Sequence, residues 1–353
     1  MSTFDWIGQV EALSPAALTR RVQALPANND GRQPLQWATF APRENVNSID
    51  VTDMMTTDYR PVADRREWNA PGRYVPPVLP TTRKIEMVPI ESYDKIEERE
   101  QQKLAEGAFG NADIIIREMG LRIPDRADRL AFANLRRLEM DFHNAWALGT
   151  FTQRNAQNGA TYAFSFGFSS SRYVTAGTAW NDAGVNAYDL FLASIASAED
   201  LIGAVGGAKM RQATLNAILA AAPTIGAGTI RMTFRQLEQD IQDRRGSGFN
   251  IVVDERSVDV FDDGGTAYTR TKVWPAQRVG FIPDDGLIGR TPFAPVRRAM
   301  ELAAQVPGAG IDVRDNTVYH YAGNGGKELN MECQLNAFPV PDESRLYVVN
   351  AGV

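Results

Sequence analysis

The stretch that decides the fold runs from Pro61 to Ser92 and reads PVADRREWNAPGRYVPPVLPTTRKIEMVPIES. Prolines at 61, 71, 76, 77, 80 and 89 deny it a helix, because each lacks a backbone donor and pushes the residue before it towards an extended conformation. Yet Tyr74, Val75, Val78, Leu79, Ile85, Met87, Val88 and Ile90 make it too apolar for a solvated linker. Thr82 to Val88 reads as a strand. The stretch is therefore an extended arm that carries apolar groups, has no core of its own and needs a neighbour to lie on. Trp68, Tyr74, Val78, Leu79, Ile85 and Met87 are the residues expected to meet a neighbouring subunit. An enzyme rarely needs such an arm; a subunit of an assembly does.

Working outward, 353 residues are enough for a sizeable core in two domains. The net charge of -6 argues against tight, sequence-independent DNA binding, which needs clustered Lys and Arg. A single cysteine, Cys333, allows no intrachain disulfide, and in its strand-like setting it reads as a small buried hydrophobe. The first residues, MSTFDWIGQVEALS, carry neither a basic nor an apolar signal region, and no apolar run approaches the ~20 residues that span a bilayer. The chain reads as made and kept in a cytosol, with no membrane partner.

Before the arm, Phe4, Trp6, Ile7, Val10 and Leu13 have helical spacing, and Leu35 to Phe40 reads as a short strand. After it, Ser92 can cap a charged helix from Tyr93 to about Glu106. Pro124 and Asp125 open a longer helix to about Leu148, on which Leu135, Leu138, Phe142 and Ala145 form one apolar stripe flanked by Phe132 and Trp146. Thr161 to Phe168 alternates as a strand, and Tyr188 to Ile202 and Lys209 to Ala221 read as helices. Thr233 with Gln236 forms a capping box, with Met232 and Leu237 as its staple, for a helix that stops at Gly246. Strands follow at 249–253, 258–261, 267–273 and 278–283, a helix at 294–306, then strands at 312–321, 329–338 and 346–350.

A search for chemistry comes back nearly empty. His143, beside the apolar stripe, and His320, in the strand Val318 to Tyr321, read as satisfied structural histidines, and two isolated histidines with one cysteine build no metal site. Gly323 to Lys327, GNGGK, lacks the spacing and the following Ser or Thr of a phosphate loop and reads as a turn between strands. Gly203 to Gly207, GAVGG, lacks the preceding strand of a dinucleotide fingerprint. Asp284 and Asp285, beside Gly286, read as turn formers rather than paired catalytic carboxylates. No catalytic residue, cofactor or metal is expected.

Four segments in order resemble the major capsid proteins of tailed phages, in particular the phage lambda major capsid protein E family, over about residues 35–350. They are Thr82 to Glu91; Gly177 to Asp182; Asp243 to Ser247; and Trp274-Pro275 leading to Arg278 to Gly289. The resemblance implies an α+β chain with the Hong Kong 97 (Johnson) capsid fold. That fold comprises an N-terminal arm (here 1–50), an extended β-hairpin loop (51–91), a peripheral domain with a long spine helix (92–180 and 331–353) and an axial domain (181–330). It implies self-assembly into the hexamers and pentamers of an icosahedral head that encloses double-stranded DNA without specific binding. Portal and scaffolding proteins, and in some relatives a decoration protein, would be partners, and the virion capsid its location, assembled in the host cytoplasm. The long charged scaffolding segment that some relatives carry at the N-terminus does not fit in residues 1–35. Lys84 has no placeable crosslinking partner. Two other readings are an encapsulin-like or prophage-derived shell that encloses cargo, and, remotely, a hydrolase using Asp284, Asp285 or His320.

Overall fold

The computed structural model describes residues 14–26, 33–55, 81–96, 112–154, 161–223, 231–246, 248–261, 268–323 and 328–352. The helical pattern expected over Phe4 to Leu13 lies outside them. The first described helix, α1 (Pro15–Gln23), starts where Ser14 accepts the Ala17 N–H at 3.3 Å and proline occupies the first turn. Leu35 to Phe40 is not the expected strand: Trp37–Phe40 is a single helical turn, α2. The Glu139 carboxylate causes this from outside the segment, by accepting the N–H groups of Gln36 at 3.0 Å and Trp37 at 2.8 Å. A carboxylate at free backbone donors supports a helical start.

β1 (Arg43–Asn45) leads to β2 (Asp50–Met55), which pairs antiparallel with β3 (Thr81–Glu86) from Asp50↔Glu86 to Met55↔Thr81. The expected strand near 82–88 is present, as one half of a two-stranded ribbon. β4 (Ile90–Ile96) corrects the helix expected from Tyr93, at least as far as Ile96; the remainder to Glu106 lies outside the described residues. β4 pairs with β15 (Glu328–Leu335), buries Ile90 and Ile96, and Ser92 Oγ donates to the Leu130 carbonyl at 3.0 Å. Ladder and burial together override a charged, helix-like pattern.

The long helix α3 (Ala112–Leu148) has 37 residues and is about 55 Å long. It begins well before Pro124, which lies inside it, so the expected start at Pro124 is corrected; a proline signals a start only when nothing helical precedes it. The stripe Leu135, Leu138, Phe142, Ala145 is buried as expected. Towards its N-terminal half α3 packs Ile123, Ala127, Leu130 and Ala131 with Leu18, Met331 and Cys333; towards its C-terminal half it packs Leu138, Phe142 and Trp146 with Trp274, Ile282 and Val348. Leu138 is fully buried, so Leu138→Ala should cost about 2–5 kcal/mol in urea unfolding, and an unchanged midpoint would refute this placement of the stripe.

β5 (Thr150–Arg154) and β6 (Thr161–Ser165) form a second ribbon. A five-stranded mixed sheet then carries the larger core, with β7 (Tyr173–Thr175), β8 (Val205–Met210), β9 (Asn250–Val253), β12 (Arg278–Pro283) and β17 (Val348–Asn350) in the order β7-β17-β12-β8-β9. One face lies against α4 (Ala187–Ile202), α5 (Gln212–Ala221) and α6 (Phe234–Arg245), with Phe191, Ile218, Leu237 and Phe281 inside. The capping box Thr233/Gln236 is formed, and Gly246 closes α6 at φ +68°, a conformation that glycine takes without strain. The helix expected from Lys209 starts only at Gln212, because 205–210 is a central strand. That strand contains most of the GAVGG segment.

Gly280 permits the other face of the sheet. A Cβ there would stand 2.8 Å from Trp274 Cη2 and 3.1 Å from the Trp146 ring, so the two tryptophans pack directly on its backbone. β10 (Ser257–Phe261) and β11 (Tyr268–Lys272) make a third ribbon. β13 (Gly289–Phe293) pairs with β1 and with β16 (Val340–Pro341), and α7 (Arg297–Gln305) matches the expected helix at 294–306. β14 (Thr317–Gly323) starts later than the expected residue 312 and pairs with β15, giving the sheet order β14-β15-β4.

Candidate functional site

The structure assembles one polar site that no sequence motif marks. Lys209 projects from β8 to the tryptophan face of the sheet and is fully buried. Its Nζ lies 2.7 Å from Asp254 Oδ2 and bonds Gln36 Oε1, and it stands 5.2 Å from the Trp274 ring centroid, 5.6 Å from Phe40 and 5.7 Å from Trp146. Arg256 Nη2 reaches Asp254 at 2.6 Å, Glu139 at 2.7 Å and Gln36 Oε1 at 3.0 Å, and its Nη1 donates to the Pro34 carbonyl at 2.6 Å. His143 Nε2 is 2.9 Å from Glu139 Oε1. Two carboxylates thus face two cations, and the site is built from segment 34–37, helix α3, strand β8 and the residues that follow β9.

The electrostatics follow from that balance. Burial raises the Glu139 carboxyl, but His143, Arg256 and the Gln36 N–H outweigh it and hold the group at about 2. Burial also opposes ionisation of Asp254, yet the Arg256 hydrogen bond and the Lys209 charge keep it well below the usual carboxylate range. Burial lowers Lys209 to about 8 against the attraction of Asp254. Burial, then the Lys209 charge, lowers His143 to about 4 despite Glu139. His143 is buried and bonded to Glu139, as the reading of a satisfied histidine implied, and its lowered pKa keeps the ring neutral near pH 7. An unfolded chain protonates this histidine near its ordinary 6.5, the folded one only near 4, so folding stability falls as pH drops from 6.5 to 4. The gap is worth roughly 3 kcal/mol. His143→Gln should flatten the urea stability profile across that window; a profile that keeps its full slope would show that other groups carry it.

The site holds charges rather than poising a reaction. Lys209 is clasped by a carboxylate, and no group of three His, Cys, Asp or Glu among the described residues could hold a metal. Cys333 is buried, which pushes its thiol up. His320 lies in β14, lowered by burial. Asp284 and Asp285 form the expected turn at Gly286, and Asp285 accepts the Leu287 N–H at 3.0 Å and pairs with Arg345 at 2.5 Å. Gly323 pairs with Glu328 across β14 and β15, and the rest of the GNGGK segment, 324–327, lies outside the described residues.

The expected contact residues divide. Ile85 and Met87 are buried in their own subunit, with Val51, Ala145, Phe151, Phe166 and Phe338, so neither needs a neighbour to cover it. This corrects the expectation for both: the base of the arm belongs to the subunit core. Trp68, Tyr74, Val78 and Leu79 lie outside the described residues. Sequence reasoning missed Gln36, Glu139, Lys209, Asp254 and Arg256. The available signal was Glu139 and His143, one helical turn apart on the flank of the apolar stripe of α3.

No protein-family model matches the sequence, and no curated protein matches it. Solved structures do match. The crystal structure of the putative capsid protein of a prophage from E. coli CFT073 superposes with a TM-score of 0.53 at 13% identity, over 99% of each chain. The chain has the Hong Kong 97-like capsid fold. A phage-related protein from Bordetella bronchiseptica RB50 also matches (TM-score 0.44, 11% identity, 95% of this chain and 96% of that one). So does the capsid of a native GTA particle (0.48, 13%, 90% of each). Within this capsid fold, no helix among the described residues is long and apolar enough to cross a membrane.

Proposed function

We propose that this chain is a major capsid protein, copies of which assemble through the extended segment and the N-terminal arm into an icosahedral head around double-stranded DNA. The full-length likeness to a prophage capsid protein carries the proposal. The β2–β3 ribbon supports it: a ribbon of two strands is marginal by itself, and its free ends bracket 25 residues rich in proline and aromatic groups. The four segments from Thr82 to Gly289 support the narrower likeness to the phage lambda family. In this reading residues 1–50 are the arm, 51–91 the loop, 92–180 with 331–353 the peripheral domain and 181–330 the axial domain. The mechanism is multivalent binding, in which many modest contacts add up to a closed shell. A net charge of -6 lets DNA slide past a wall that does not grip phosphates. Portal, scaffolding and decoration proteins are the expected partners.

Negative-stain microscopy of the purified chain, with the nuclease-protected contents measured, tests the proposal. Closed icosahedral shells that protect DNA when made with portal and packaging components are expected. Shells that retain protein cargo and no DNA would move the reading to an encapsulin-like compartment; absence of shells under all assembly conditions would overturn both.

A further inference from the structure

The β14-β15-β4 sheet has two unlike faces. Leu329, Met331, Cys333 and Leu335 of β15, with Ile90 and Ile96 of β4, are buried towards α3. Asp94, on that side, pairs with Arg126 of α3 at 3.6 Å. The outer face carries Glu91, Tyr93 and Lys95 of β4, Asn330, Glu332 and Gln334 of β15, and Tyr319 and Tyr321 of β14. Register puts Tyr93, Glu332 and Tyr319 in one row across the three strands, with Lys95, Asn330 and Tyr321 in the next. Tyr93 is 67% exposed and Tyr321 46%.

Two observations give this face a chemical preference. First, Glu91 and Glu332 lie close together, and no ion pair among the described residues includes either. Tyrosine hydroxyls are their hydrogen-bond partners, Tyr319 donating to Glu91 at 3.3 Å and Tyr321 to Glu332 at 2.5 Å. Burial first, then a hydrogen bond to Glu332 and its charge, raises Glu91 above its ordinary range. Second, the face already accommodates one guanidinium: Arg298 of α7 lies 5.3 Å above the Tyr319 ring. Paired carboxylates flanked by tyrosine rings suit a planar, five-donor guanidinium, which bridges carboxylates and stacks on aromatic faces at once.

We propose that this face receives arginines of the extended segment of a second copy of this chain. The inference rests on the shell reading above. Residues 56–80 carry Arg60, Arg65, Arg66 and Arg73 against Asp58, Asp64 and Glu67, interleaved with Tyr59, Trp68 and Tyr74. They supply the complement of the face, guanidinium and aromatic groups together. A guest guanidinium would compensate the carboxylate pair, so removing the pair should weaken assembly without lowering subunit stability.

The test compares the full-length chain with its E91Q/E332Q variant. Neutralising the pair should leave urea stability equal or higher, while the threshold concentration for shells rises about tenfold. The charge-reversed variant E91R/E332R should fail to assemble and recover when combined with R65E/R66E. A separate reading uses a synthetic peptide of residues 58–74, titrated onto the folded subunit: binding should weaken about tenfold in E91Q/E332Q. If the wild type forms no shells, the shell reading fails, and the peptide still decides the docking face. Equal thresholds together with equal peptide binding, or a lost threshold explained by lower subunit stability, would overturn the docking proposal.

Discussion

Replacing residues 56–80 with a short Gly-Ser linker should leave a subunit that folds, melts cooperatively and forms no closed shells. The cut lies just beyond the last ladder pair, Met55↔Thr81, so the β2–β3 ribbon and the buried Val51, Ile85 and Met87 stay in place. The removed segment has 25 residues, and an extended hairpin of about 12 residues each way would span at most ~40 Å at ~3.3 Å per residue. In the shell reading its apolar and aromatic groups meet a neighbouring copy. Circular dichroism should retain the helices and urea unfolding its midpoint, while negative stain shows capsomers or monomers only. Trp68→Ala should weaken assembly in the same direction, since a large aromatic commonly anchors an interface. A deletion that unfolds the subunit would place the segment in its own core. A deletion that assembles normally would make the segment a linker and remove the main physical support for the shell reading.

What the sequence made legible was local. Thr233 and Gln236 lie three apart and cap the helix they predict, because a capping box needs nothing beyond its own turn. The stripe from Leu135 to Ala145 is buried because one helix face is fixed by 3.6-residue periodicity. The misread elements were those decided by distant partners. Tyr93 to Ile96 is a strand because β15 pairs with it, Trp37 to Phe40 is helical because Glu139 receives its N–H groups, and Lys209 lies in a strand flanked by β9 and β12. The charged site was illegible for the same reason. Its members stand at 36, 139, 143, 209, 254 and 256, and none of these spacings is a motif. Only the fold brings them within hydrogen-bond distance. Of the proline-rich stretch, residues 56–80 lie outside the described residues; the part that is described shows Ile85 and Met87 in the subunit core, which apolar residues between prolines do not announce.

That charged site should also be where a single side chain costs the subunit most. Glu139 is 1% exposed and serves four partners: the Arg256 guanidinium, the His143 ring and the N–H groups of Gln36 and Trp37. Glu139→Ala removes the acceptor for all of them and leaves the local charge at two cations against one carboxylate. Breaking a buried pair from one side typically costs about 3–5 kcal/mol, because the remaining charge keeps its desolvation penalty without its partner. Urea unfolding of Glu139→Ala should show a loss of that order. Glu139→Gln, which keeps an oxygen for one or both amides, should lose less. The loss should also be localised: amide exchange across residues 34–41 should accelerate strongly, while the core around Phe191, Ile218 and Phe281 keeps its protection. Stability within about 0.5 kcal/mol of wild type would mean that water replaces Glu139 without penalty. In that case the packing of Leu35, Trp37 and Phe40 and the hydrogen bonds to the Phe40 and Ala41 carbonyls would hold segment 34–41 without help from Glu139.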